Sequence, residues 1–177
     1  PRGGMILGVD RRKEPQVLHD AYNDAAGVTA AFNLNLLTRL NRTLGATFNL
    51  ATFRHVAFFN DAASRIEMHL ESTVAQQVRV ANVDITFEAG ETIHTECSYK
   101  YDETRLVALC EAGGFRIETL HTDARGWFWV AWLRATKVAP VLRRVRIGLI
   151  GWSMAPVGSV LVLKPMGEVG DVCFFVR

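Results

Sequence analysis

Met5-Ile6-Leu7-Gly8-Val9-Asp10 is a short apolar run that ends on a carboxylate and opens into the charged segment Arg11-Arg12-Lys13-Glu14-Pro15. A run this short, apolar at nearly every position and bounded by a polar loop, reads as a strand buried on both faces, the kind found inside parallel sheets. Such a strand needs neighbours on both sides. A domain seldom opens on a strand of this type. The first methionine, Met5, already lies inside it, so the sequence reads as a truncated chain.

Beyond the charged segment, Pro15 suits the first turn of a helix, and helical spacing runs from Gln16 to about Leu44. Val28, Phe32, Leu36 and Leu40 recur four residues apart, a stripe expected to face a core. Gly27 is a weak point that predicts two helices or a kink, and Gly45 supplies a C-terminal stop. Ile66, Met68 and Leu70 then alternate with Glu67, His69 and Glu71, a strand with one buried face that leaves Glu67 in solvent. Val78-Arg79-Val80 and Ile85-Thr86-Phe87 extend the β region to a turn at Ala89-Gly90. Asp102 can cap a helix from Glu103 to Ala112 that stops at Gly113-Gly114. Phe115 to His121 and Trp127 to Leu133 read as two strands joined by a turn at Asp123-Ala124-Arg125-Gly126. The second is apolar throughout and is expected in a sheet covered on both faces.

Charge and composition exclude several classes. The 20 basic and 18 acidic residues are interspersed and leave no nucleic-acid footprint. With 49% hydrophobic and 21% charged residues, the profile is that of a soluble globular chain. The run from Ile147 to Leu163 is uncharged but broken by Gly148, Gly151, Pro156 and Gly158. It falls short of the roughly 20 residues a spanning helix needs, and reads as a strand pair or an appendage rather than a membrane segment. Cys97, Cys110 and Cys173 are odd in number, widely spaced and without a CxxC pair, which predicts no disulfide framework and suits a reducing cytoplasm. His19, His55, His69, His94 and His121 show no HxxxH or HxH spacing, so no metal site is expected.

The segment Glu91 to Tyr101, ETIHTECSYKY, carries the densest set of polar groups. Glu96 and Ser98 are two apart, which in a strand puts both side chains on one face, together with His94 and away from Cys97. A carboxylate can accept an imidazole N–H and a hydroxyl can serve the other ring nitrogen. Spacing alone leaves a second reading open, in which Glu96 pairs with Lys100 at the surface and Ser98 caps a turn.

Four strings in register, LGVDRRKEP (Leu7 to Pro15), AYNDAAGVTAAFNLNLL (Ala21 to Leu37), SRIEMHL (Ser64 to Leu70) and ETIHTECSYKY, resemble the histidine-specific, S-adenosylmethionine-dependent methyltransferases that make trimethylhistidine on the way to ergothioneine. Gly114-Phe115 and the strand through Trp132 look like the last two strands of that family's sheet. The resemblance implies an α/β chain with a partial Rossmann-like class I methyltransferase fold, the C-terminal half of the sheet, with an inserted β-rich substrate-recognition region. On this reading residues 1–135 form that half-domain and 136–177 an unassigned apolar tail.

The resemblance further implies a histidine pocket in which Glu96 and Ser98 clamp the imidazole and Tyr22 reaches the α-carboxylate. Thr29 would shape the pocket floor, and Met68 would pack on the ring. Each has a plainer reading: Tyr22 as a half-buried aromatic, Thr29 bonded back to its helix, Met68 as core. Asn23 and Asp24 read as surface or capping groups. No residue is assigned as a dedicated catalytic base. S-adenosylmethionine is the implied co-substrate, but no GxGxxG-type loop opens a helix in this sequence, so its binding residues are expected outside this chain. The competing reading is a non-catalytic fragment or binding module.

Overall fold

The structure, a computed structural model, describes residues 3–136. The run from Ile147 to Leu163 and, apart from Thr136, the whole C-terminal tail lie outside the described residues. In chain order the elements are β1 (Gly4–Asp10), α1 (Pro15–Tyr22), α2 (Val28–Leu44), a single 3-10 turn (Leu50–Thr52), β2 (Phe53–Asn60), β3 (Arg65–Ser72), β4 (Gln76–Val80), β5 (Val83–Phe87), β6 (Thr92–Tyr99), α3 (Glu103–Ala112), β7 (Phe115–Thr122) and β8 (Phe128–Ala135). The chain divides into two compact units, Lys13–Ser98 and the unit formed by the segments on either side of it. No helix among the described residues is long and apolar enough to cross a membrane.

In the unit formed by the flanking segments, the strand order is β1-β8-β7. β8 is antiparallel to both neighbours, so β1 and β7 run parallel to each other. Among the described residues the neighbour of β1 is β8, antiparallel from Gly4 opposite Arg134 to Asp10 opposite Phe128, and β1 stands at the edge of this sheet. α3 forms as its sequence predicts, with the Asp102 carboxylate accepting the Arg105 N–H and Gly113 at the C-cap. Its Leu106 and Cys110, one turn apart, pack with Leu7, Val9, Trp129, Ala131 and Leu133.

Burial alternates along β8, however, and Phe128, Val130 and Trp132 remain 40–41% exposed. The strand is therefore covered on one face and open on the other among the described residues, not covered on both. β1 follows the same pattern, with Ile6 at 68% exposure on the open face. Its glycines shape that face: a Cβ at Gly8 would meet ring carbons of Phe128 at 3.0 Å.

In the Lys13–Ser98 unit the helical stretch breaks at Gly27, whose φ of 70° is costly for a residue with a Cβ. α2 then runs to Gly45, again left-handed at φ 61°. Its buried positions are Asn33 and Leu37, whereas Val28 and Phe32 are 67% and 56% exposed. The core-facing stripe is thus rotated from the one read in the sequence. The reason is chemical, because the buried amide of Asn33 finds partners in the sheet and no longer demands water.

β2, β3 and β6 form one sheet in the order β2-β3-β6, and β4 and β5 form a hairpin. β2 and β3 pair antiparallel from Phe53 opposite Ser72 to Asn60 opposite Arg65. Leu37, Phe48, Phe53, Leu70, Val78 and Phe87 make one core, in which Phe53 meets Phe48 and Phe87 edge-on at 5.6 and 5.5 Å. Leu18, Ala57, Ile66 and Met68 make a second, with Tyr22 and Phe59 packed against it. Ile66, Met68 and Leu70 are buried as their alternation predicts. Glu67 departs from expectation: it is 7% exposed, not solvated, because Arg65 and Asn60 both bond its carboxylate.

Candidate functional site

α1 ends on Tyr22, and its phenol reaches across the sequence to β6, where Oη donates to Ser98 Oγ at 2.7 Å. The Tyr22 ring packs on the cluster containing Met68, which is 3% exposed. Three of the residues singled out in the sequence, Tyr22, Met68 and Ser98, therefore meet at one place. Ser98 is itself 7% exposed, so its hydroxyl is a buried polar group with a defined partner.

The end of α1 is held by groups the sequence did not flag. Asn23 Nδ2 donates to Ala57 O at 3.1 Å and to His19 O at 3.0 Å, tying the helix terminus to β2. His55 Nε2 lies 2.9 Å from Tyr22 O, and since a carbonyl only accepts, that nitrogen carries the proton. Its Nδ1 then accepts from Asn33 Nδ2 at 3.0 Å, and the second amide hydrogen of Asn33 goes to His69 O at 3.0 Å. The Tyr22 backbone is thus anchored through His55 to a buried amide. A sequence signal existed: His55 falls on the inward set Phe53, His55, Ala57, Phe59, and Asn33 lies four residues before Leu37.

Thr29 lies in the first turn of α2 and is half-buried. Its backbone N–H donates to Asp24 Oδ1 at 2.9 Å while Val28 N–H donates to Asp24 Oδ2 at 2.8 Å. The bond from the Thr29 backbone, then that from its hydroxyl, then that from Val28 lower the Asp24 pKa to about 2. Asp24 caps α2, as one of its two sequence readings had it.

Glu96 is half-buried in β6. Beside it, His94 Nε2 lies 3.1 Å from Glu96 O, and Cys97 Sγ lies 3.2 Å from His94 Nε2. Strict alternation would set His94 on the same face as Ser98. Instead His94 stacks on His69, whose strand neighbour Met68 points to the opposite face, where Tyr22 and Ser98 meet. His94 is thereby removed from the Tyr22–Ser98 side. Lys100, expected at the surface as the alternative partner of Glu96, has a fully buried side chain, its Nζ 2.8 Å from Asp10 Oδ2.

A family described as histidine-specific, S-adenosylmethionine-dependent methyltransferase matches residues 1–135. The chain belongs to this family. It is 45% identical over 130 residues to the histidine N-alpha-methyltransferase of Mycolicibacterium smegmatis and 42% identical over 130 residues to that of Mycobacterium tuberculosis. Each match covers 72% of this chain and 40% of the relative, so the chain spans about two fifths of the length of the curated relatives it matches.

The methyltransferase family requires a methyl donor, and the described residues do not form a cradle for one. β1 leads into α1 through the charged loop Arg11 to Glu14, with no glycine-rich turn and no side-chain cap at Glu14. The N-termini of α2 and α3 are occupied by the carboxylates of Asp24 and Asp102, the places where a phosphate or carboxylate ligand would otherwise sit.

Proposed function

We propose that this chain supplies the amino-acid pocket for transfer of methyl groups from S-adenosylmethionine to the α-amino nitrogen of histidine, giving trimethylhistidine for ergothioneine synthesis. The donor's sulfonium provides both the methyl group and a good leaving group. What remains for the acceptor side is to hold a neutral amine in line at attack distance, which is positioning rather than base catalysis.

The observation that carries this reading is the 2.7 Å bond from Tyr22 Oη to Ser98 Oγ beside Met68, which unites three of the residues assigned by resemblance. A hydroxyl both accepts and donates, so the Ser98 hydroxyl that accepts from Tyr22 is of the chemical type that can serve a ring nitrogen of an imidazole. Glu96, two residues back in the same strand, accepts the opposite ring N–H. Met68 supplies the apolar wall against the ring. A site built this way rejects side chains that leave its polar groups unpaired. Thr29 helps shape the pocket floor, and its backbone bond to Asp24 fixes the turn between Tyr22 and α2.

The topology supports the accompanying fold assignment. One antiparallel strand between two parallel ones, with residues 13–98 inserted between β1 and α3, fits the C-terminal half of a Rossmann-like class I methyltransferase sheet carrying a β-rich recognition region over 1–135. The tail 136–177 has no part in this reading. A cytoplasmic location and a free amino-acid partner, with no nucleic acid or membrane, complete it.

Titration calorimetry of L-histidine, with S-adenosylhomocysteine present, into the product of the full reading frame tests the pocket. Saturable histidine binding that weakens at least about tenfold in Glu96→Ala is expected, the loss of a charge-assisted bond being worth about 1.5–3 kcal/mol. No histidine binding, or binding unchanged by that substitution, overturns it. Binding without methyl transfer would mark a binding module instead.

A further inference from the structure

β3 turns a second set of side chains to the face opposite Ile66, Met68 and Leu70. Glu67 Oε1 takes bonds from Arg65 Nη2 at 2.7 Å and Asn60 Nδ2 at 2.9 Å, which leaves Oε2 turned towards His69 Nε2 at 3.4 Å. His69 Nδ1 lies 3.3 Å from Thr92 Oγ1. The His69 ring is stacked between Phe58 of β2, at 5.3 Å, and His94 of β6, at 4.4 Å, in the order of the three strands. One ligand atom each from Glu67, His69 and His94 lies within 4.8 Å of the others. Cys97 Sγ adds a soft donor 3.2 Å from His94 Nε2.

We infer that Glu67, His69 and His94 form a binding site for a zinc-class divalent transition-metal ion, separate from the amino-acid pocket on the other face of the sheet. Metal bonds of about 2.0–2.2 Å place neighbouring ligand atoms of a tetrahedral site about 3.3–3.6 Å apart, and the Glu67–His69 pair already stands at that separation. The third ligand closes on them when the exposed His94 ring rotates and exchanges its contact with Glu96 O for the ion. Two imidazoles and one carboxylate favour zinc or cobalt over calcium or magnesium, which take all-oxygen sets.

The surrounding groups are those a metal site uses. Thr92 can accept the Nδ1–H of His69 and so direct Nε2 to the ion, and Arg65 with Asn60 fixes the carboxylate by its other oxygen. The sequence hid the site because its ligands come from two strands, with no local spacing to betray them.

The test is made on the full 177-residue chain, stripped with chelator and titrated with Zn2+ by calorimetry, then with Co2+ by visible absorbance. One equivalent bound, with d–d bands of a low-coordinate Co2+ site, is expected. His94→Ala and Glu67→Gln should each weaken Zn2+ at least about tenfold, while His121→Ala, an exposed histidine in the other unit, leaves binding unchanged. His94 is exposed, so its variant should keep the wild-type far-UV circular dichroism; His69→Ala gives a second check on the same ligand set. Absence of stoichiometric binding, or wild-type affinity in both His94→Ala and Glu67→Gln, overturns the site.

Discussion

Asn33→Ala probes the anchor beneath the candidate site. Asn33 is 3% exposed, and its Nδ2 donates to His55 Nδ1 and to His69 O, each at 3.0 Å. His55 cannot compensate by moving its proton, because Nε2–H already donates to Tyr22 O at 2.9 Å. The substitution removes two hydrogen bonds of about 1 kcal/mol net each and strands a carbonyl and a ring nitrogen away from water, at about 1 kcal/mol or more apiece. A loss of about 2–4 kcal/mol follows, a large share of the roughly 5–15 kcal/mol that stabilises a typical domain. Urea unfolding followed by far-UV circular dichroism should show a lower midpoint with an unchanged slope. Asn33→Asp separates chemistry from shape: it keeps the size but offers oxygens to a carbonyl that needs a donor, and it should cost at least as much. Losses below about 0.5 kcal/mol in both variants, the range of an ordinary surface change, would refute the anchor.

The rotated face of α2 predicts that Leu37→Ala, at a wholly buried position, costs about 2–5 kcal/mol, while Phe32→Ala, 56% exposed, stays within about 0.5 kcal/mol; equal losses in urea would restore the stripe read from the sequence. Asp24 should titrate at about 2 by carboxyl NMR, against an ordinary 3.8. Its folded value is depressed, so its contribution to stability is complete above 3.8 and is lost as pH falls towards 2; Asp24→Asn should remove that part of the acid transition, and a midpoint near the ordinary value would contradict the cap. Burial alone would raise the Glu67 pKa, but bonds from Arg65 and Asn60 outweigh it and hold the group below 4.5. Stability tied to Glu67 is therefore present above 4.5 and lost below it, and Glu67→Gln should flatten that limb of the pH–stability curve; an unchanged curve would count against the pairing. Tyr22→Phe and Ser98→Ala share one bond, so their stability losses should fall short of additive by about 0.5–1.5 kcal/mol in a double-mutant cycle, and simple additivity would mean the bond is not formed.

Most elements were legible because their signals are local. Gly27 and Gly45 bracket α2 and Asp102 caps α3, each by backbone geometry that one residue type satisfies best. The alternation of Ile66, Met68 and Leu70 fixes the buried face of β3 without reference to any partner. What could not be read depends on partners far along the chain. Asn33 looks like a surface residue until His55 and His69 O arrive to take its two hydrogens. Glu67 looks solvated until Asn60 is paired beside it. The apolar run through Trp132 predicts two covered faces, and the described residues cover one. At the site, Tyr22, Met68 and Ser98 came from a resemblance and the structure brings them together, whereas the stacking of His94 on His69 has no signature in spacing.

The two faces of β3 are not independent, even though they carry different chemistry. A strand repeats every two residues, so a slip of one residue against β2 would send Met68 to the polar side and Glu67 into the core. The apolar side resists this through Phe53, held between Phe48 and Phe87. The polar side resists it as well, because Asn60 reaches Glu67 at 2.9 Å and Arg54 reaches Glu71 at 2.7 Å only in the observed pairing. Exposed pairs of this kind add little stability by themselves, but Glu67 is buried, and a slipped register would leave its charge without Asn60 in a place that water does not reach. The penalty for the wrong register is thus larger than the gain from the right one. The buried carboxylate selects the alignment in which Met68 faces Ala57 and the Tyr22–Ser98 bond can form, so the polar face of the strand sets the position of the apolar wall behind it.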